Sequence, residues 1–184
     1  MNKFIELLNR GDLRSIQGAA IAIANVHSQD EFDELFGCLH STNRKVVMRA
    51  ADAIEKLTIG HVNYLHKHKG ALLAFCQVFT NIEFKWHLAL LVTRLQLTDV
   101  EFGMVWDILS TWATSRKESK IVRVNSIQGL FSLMHQKPEL ALDFSHIIKE
   151  IEYEEIPSIN ARIRKIRSSK LWSAIQGGQP IDKN

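Results

Sequence analysis

Apolar and polar positions along this chain recur in a helical rhythm, and each recurrence opens on a residue suited to starting a helix. Asp12, Asn43, Asn81, Ser119 and Ser158 stand at intervals of 31, 38, 38 and 39 residues. Their side-chain oxygens can accept the backbone N–H groups that have no carbonyl partner in a helix's first turn. Seven residues on stand Ala19, Ala50, Leu88 and Ser126, mostly small; eight on stand Ala20, Ala51, Ala89 and Ile127. Eleven on come Ile23, Ile54, Val92 and Leu130, and fourteen on come Val26, Leu57, Leu95 and Leu133. With 3.6 residues per turn these offsets share one helix face. Small residues early on that face let a neighbouring helix approach, and larger aliphatics further along fill the space between helices.

A second amphipathic segment precedes each of these helices. The sets are Phe32, Leu35, Phe36, Leu39; Leu72, Phe75, Cys76, Phe79; Phe102, Val105, Trp106, Leu109; and Phe144, Ile147, Ile148, Ile151. Phe4, Leu7 and Leu8 form a shorter version at the start. The repeating unit is thus an outer helix, a turn and a capped inner helix. One such pair cannot bury its own apolar stripe and must stack on neighbours. The predicted fold is all-α: a right-handed α-solenoid of about five helical pairs over residues 1–175, with a loose Gly-rich polar tail over 176–184.

The inner helices resemble those of the HEAT and armadillo-type repeats, whose second helix often runs Val-Arg, two residues, Ala, then Ala-Leu. Val122-Arg123, Ser126 and Gly129-Leu130 follow that pattern; Asn43 to Leu57 follows it with Val47 where Arg is usual, and Phe84-Lys85 to Leu95 with Lys. Two departures stand out. The first interval is short, and the last repeat, Ser158 to Trp172, carries Arg and Lys in place of aliphatics, as an end repeat with one open face can. Tetratricopeptide repeats fit worse, because their period is shorter and their Trp-Leu-Gly-Tyr and Pro landmarks are missing. The resemblance implies an architecture built for binding and specifies no chemistry.

Composition changes this picture little. Helix formers dominate, and of only three prolines Pro138 would begin a helix while Pro157 precedes the last one. Apolar runs are short and amphipathic, so no membrane span is expected, and no leader pattern is visible. Cys38 and Cys76, on apolar faces of successive outer helices, read as buried thiols rather than a regulatory disulfide. A cytoplasmic location follows by default.

Candidate chemistry is mostly excluded. None of the eight histidines makes a His-Glu pair or an H-x-x-x-H spacing, unlike the iron-dependent hydroxylases built on HEAT repeats. In the cluster His61, His66, His68 the spacings do not align the rings on one helix face, and Lys67 and Lys69 would repel a cation, so a solvated helix start is expected and no metal site. There is no phosphate loop or nucleophile motif, and Glu150, Glu152, Glu154 and Glu155 read as a solvated acidic helix end. A family of alkylpurine DNA glycosylases is also similar in architecture and works with Trp, Asp and Arg on a basic surface. Here Trp106 belongs to the apolar set of its helix, Asp107 beside it points to solvent, and Trp86 is partly buried. The expectation is a protein with no enzymatic activity and no cofactor.

If offsets seven, eight, eleven and fourteen face inward, offsets two, six, nine and thirteen form the opposite stripe. It runs Arg14, Gly18, Ile21, Asn25; Lys45, Arg49, Asp52, Lys56; Glu83, His87, Leu90, Arg94; and Ile121, Asn125, Gln128, Ser132. Such stripes form the concave face that binds partners in solenoids. Lys45, Arg49, Lys56, His87, Leu90, Arg94 and Asn125 are therefore the expected partner-binding residues. A secondary basic patch gathers Arg116, Lys117, Lys120 and Arg123 at one turn and Arg162, Arg164, Lys165, Arg167 and Lys170 on the last helix. The net charge is nonetheless only +3. Segregated charge with few interleaved aromatics favours an acidic protein or peptide partner over a nucleic-acid backbone, which stays the alternative.

Overall fold

The computed structural model describes residues 2–10, 17–78 and 82–177. All regular structure among them is helical. The chain divides into two compact units, Met1–Gln96 and Leu97–Asn184. The first contains α1 (Lys3–Asn9), α2 (Gln17–Ala24), α3 (Gln29–Gly37), α4 (Arg44–Leu57), α5 (Lys69–Val78) and α6 (Ile82–Leu91). The second contains α7 (Asp99–Thr114), α8 (Lys120–Leu133), α9 (Ala141–Glu152), α10 (Pro157–Arg167) and α11 (Lys170–Gln176). Short 3-10 segments extend α3 and α6 and lead into α5 and α9.

The caps explain where the inner helices begin. Asn43 Oδ1 accepts from the Lys45 amide at 3.0 Å, and Ser119 Oγ from the Val122 amide at 3.4 Å. Asp12 and Asn81 lie outside the described residues, as do Arg14 and Phe79. Ser158 does not cap its helix: α10 starts at Pro157, with Ile156 in the cap position. Proline's fixed φ and missing N–H suit the first helical position, which moves the last repeat forward. That repeat is also two helices, because Ser169 caps α11 by accepting from the Trp172 amide at 3.2 Å. α11 runs through Gln176, and residues 178–184 of the expected tail are outside the described residues.

In the first unit α4 packs on α2, α3 and α6; in the second α8 packs on α7, α9 and α10. α4 therefore has inner helices on both flanks and an outer helix behind, while α8 has α10 on a flank and the outer helices α7 and α9 against it. Ala50, Ala51, Ile54 and Leu57 are buried, as are Leu88, Ala89, Val92 and Leu95, and Ser126, Ile127, Leu130 and Leu133. The first repeat departs: Ala20 is exposed and Ile23 half-buried, while Ala19, Ala22 and Val26 are inside. Its helix has 8 described residues, against 14 in α4 and α8.

Outer helices meet through aromatic rings in the first unit. Phe32 stacks on Tyr64 at 5.1 Å, and Phe36 on His68 at 3.9 Å. His68 is thus half-buried rather than solvated, and its Nε2 lies 2.6 Å from the Asp33 carboxylate. Partial burial raises the Asp33 carboxyl, but hydrogen bonds from Lys67, Gln29 and His68 outweigh it and hold it at about 2. An unfolded aspartate titrates near 3.9, so the folded carboxyl is the stronger acid. Its stabilisation, about 1–2 kcal/mol, is complete above roughly pH 4 and lost as pH falls towards 2. Denaturant midpoints should drop on acidification more steeply in the wild type than in Asp33→Asn; equal slopes would remove this contribution.

Cys38 and Cys76 are buried free thiols, and desolvation pushes them up to about 11 and about 12. Thiolate is the reactive form. At neutral pH a chromogenic disulfide reagent should therefore label neither within minutes, and both once denaturant is added. Rapid labelling of the native protein would contradict this burial.

Candidate interaction surface

The first unit uses its cations internally. Arg49 is only 5 % exposed, and its guanidinium donates to the carbonyls of Leu8, at 2.7 Å, and Arg10. These carbonyls end α1 and have no helical partner, so Arg49 completes that terminus from α4. The guanidinium also lies against Gly18, where a Cβ would stand 3.1 Å from Arg49 Cδ. His87 is buried and hydrogen-bonded through Nδ1 to the Glu55 carboxylate. Arg94 donates to the Glu55 carbonyl and, at 2.6 Å, to Thr58 Oγ1. Burial lowers the Arg94 guanidinium from its ordinary value and Glu55 opposes the change; arginine remains charged regardless.

Offset six is thus a flank position covered by the neighbouring helices, and Arg49 and His87 belong to the interior. Of the remaining expected contacts, Lys56 pairs with Asp52 at 2.6 Å, one turn away on α4. Lys45 and Leu90 are half-buried. Arg44 pairs with Glu83, whose carboxyl is raised by burial but lowered overall by the Arg44 hydrogen bond. Of the expected basic stripe of α4 and α6, Lys56 and His87 are therefore matched by carboxylates, and Arg49 and Arg94 by backbone carbonyls and a hydroxyl.

The second unit gathers its expected residues differently. Arg123, with 2 % exposure, is interior: Nε donates to the Ala113 carbonyl at 2.8 Å, and both Nη groups reach Glu154 at 2.9 Å. Glu154 is consequently held below the usual carboxylate range by Arg123. Glu152 pairs with Arg167 at 2.8 Å, so two of the acids expected to be solvated are partners of arginines. Arg116 is exposed with Nε 3.5 Å from Glu154, while Lys117, Arg164, Lys165 and Lys170 are on the surface.

Lys120, Asn125 and Arg162 converge. α8 and α10 enclose an open groove of about 290 Å³ lined by Lys120, Ile121, Val124, Asn125, Ser158 and Arg162. Ile121, 45 % exposed, and Val124 make its apolar part. Arg162 is oriented by donating to Gln128 Oε1 at 2.7 Å, which uses one of its five N–H donors. Val124 and Ser158 were not among the expected contacts; Val124, at offset five, borders the stripe, whereas only the packing of α10 on α8 reveals Ser158. An ammonium and a guanidinium thus flank a half-buried aliphatic pair with an amide and a hydroxyl in reach. This set can hold a carboxylate beside an apolar side chain.

Among the described residues no three His, Cys, Asp or Glu side chains lie close enough to hold a metal ion. No described helix is long and apolar enough to cross a membrane. Two compact sets of packed helices, capped inner helices of matching register and this groove define a helical-repeat protein. The chain matches the HEAT repeat domain family over residues 5–170, and it belongs to that family. No curated protein and no solved structure matches it.

Proposed function

We propose that the protein is a non-catalytic interaction module that holds an acidic, partly apolar segment of a protein partner in the groove between α8 and α10. Lys120 and Arg162 would take the partner's carboxylates, with Ile121 and Val124 supplying apolar contact and Asn125 and Ser158 hydrogen bonds. The observation that carries this reading is the convergence of both cations on one apolar floor. The expected winding of about five helical pairs into a right-handed solenoid belongs to the same proposal. A nucleic-acid backbone is the weaker fit. Arg167 of α10 is already paired with Glu152, and the groove floor is aliphatic rather than aromatic.

The test uses a short synthetic peptide of alternating glutamate and leucine, titrated into the full chain. Ile121→Asp and Lys120→Glu should each weaken binding by about tenfold, the first by losing apolar burial and the second by charge reversal. Lys120 occupies the first turn of α8, where a glutamate suits the helix dipole, so folding should be unaffected. Binding unchanged in both variants would remove the groove from this role. Tight binding of duplex DNA that falls steeply with salt would favour the nucleic-acid reading instead.

A further inference from the structure

On the other set of helices in the second unit, a separate groove of about 270 Å³ lies between α7 and the segment leading into α9. Its floor is Phe102, Gly103, Trp106 and Leu140, with Asp99 and Glu139 at the rim. Phe102 and Trp106 are stacked with ring centroids 6.1 Å apart. Lys137 reaches into the groove from the loop after α8. Its ammonium sits 5.1 Å from the Phe102 ring centroid and 2.6 Å from the Asp99 carboxylate. The free protein thus already places a cation between an aromatic face and an acid.

The charge around this cation is acidic. α7 carries Asp99, Glu101 and Asp107 and no basic residue, while α8 and α10 carry bases and no acid. Glu101 is committed to its helix end, accepting from the Thr98 amide at 2.7 Å. Asp107 is exposed one turn beyond Gly103 on the same face of α7. The two rim carboxylates outnumber the single ammonium. We propose that this groove is a second docking site, of opposite charge preference to the first, which takes an arginine-bearing apolar segment of a partner protein. The incoming guanidinium displaces Lys137 from Phe102 and Asp99. A planar guanidinium stacks on an aromatic face and pairs bidentately with a carboxylate, which an ammonium cannot do. Lys137 is therefore an internal competitor, and the exposed Asp99 its temporary partner.

Gly103 supplies a clean test, because a Cβ there meets no atom within 4 Å. Gly103→Leu fills the groove while raising helix propensity, so thermal stability should not fall. The probe is a short peptide of alternating arginine and leucine, titrated into the full chain. Gly103→Leu and, independently of any packing change, Glu139→Lys should each weaken binding about tenfold, and Lys137→Ala should strengthen it about threefold. The glutamate–leucine peptide should not respond to these substitutions, nor the arginine peptide to Ile121→Asp. Failure of this site is thereby distinct from failure of the α8–α10 groove. Absence of arginine-peptide binding, affinity unmoved by Gly103→Leu and Glu139→Lys, or weaker binding in Lys137→Ala would overturn the proposal.

Discussion

Glu154→Ala is expected to destabilise the protein by about 2–4 kcal/mol, because it strands a buried guanidinium. Arg123 is almost wholly enclosed, and it ties the last turn of α7, through the Ala113 carbonyl, to the turn between α9 and α10, through both oxygens of Glu154. Removing the carboxylate leaves Arg123 with the carbonyl bond and an uncompensated charge. Glu154→Gln keeps one acceptor and should lose roughly half as much. Replacing both partners, as in Arg123→Met with Glu154→Ala, should recover part of the loss, since an apolar pair of similar volume escapes the desolvation cost. Chemical denaturation of the wild type, Glu154→Ala, Glu154→Gln, Arg123→Met and the double variant measures this. A double variant as unstable as the sum of the singles would mean that the two side chains act separately. Glu154 is also a lowered carboxyl, so its contribution is present above the unfolded carboxylate range and is lost as pH falls below that range, through the folded carboxyl's own lower value.

Phe32→Ala should cost about 3–5 kcal/mol, the usual range for truncating a fully buried phenylalanine. Phe32 has no exposed surface, and its ring meets those of Tyr64, Phe36 and His68. The cavity would open where α3 meets the 3-10 segment before α5, a place with no backbone ladder to hold its shape. Phe32→Leu keeps most of the volume and should cost less than half as much. A loss below about 1 kcal/mol in Phe32→Ala would show that the cluster collapses freely and is not a packed core.

The register of the inner helices was legible because the same four offsets recur behind different caps, and packing demands that recurrence. Ile54, Val92 and Leu130 are fully buried for that reason. The exposed stripe was legible only in part. Offset six lies roughly 130° from the middle of the buried face, so hydropathy treats an arginine or histidine there as surface. Arg49 and His87 show what such a pattern omits: the end of α1 and the neighbouring inner helix α4, with the backbone carbonyls and the carboxylate they bring. The Arg123–Glu154 pair and the Asp33–His68 contact join residues on different repeats, so no local window contains them. Lys120, Asn125 and Arg162 could each be named from the sequence, but their meeting in one groove depends on α10 packing against α8. Ser158, read as a cap, lines that groove because Pro157 starts the helix one residue earlier.

The most direct test is to titrate the glutamate–leucine peptide into the isotopically labelled chain and follow the backbone amide resonances. The largest shifts should fall at Lys120 to Asn125 and Ser158 to Arg162, with residues around Phe32 and His68 unmoved. Shifts concentrated elsewhere, with the α8 and α10 amides silent, would contradict the groove as the binding surface.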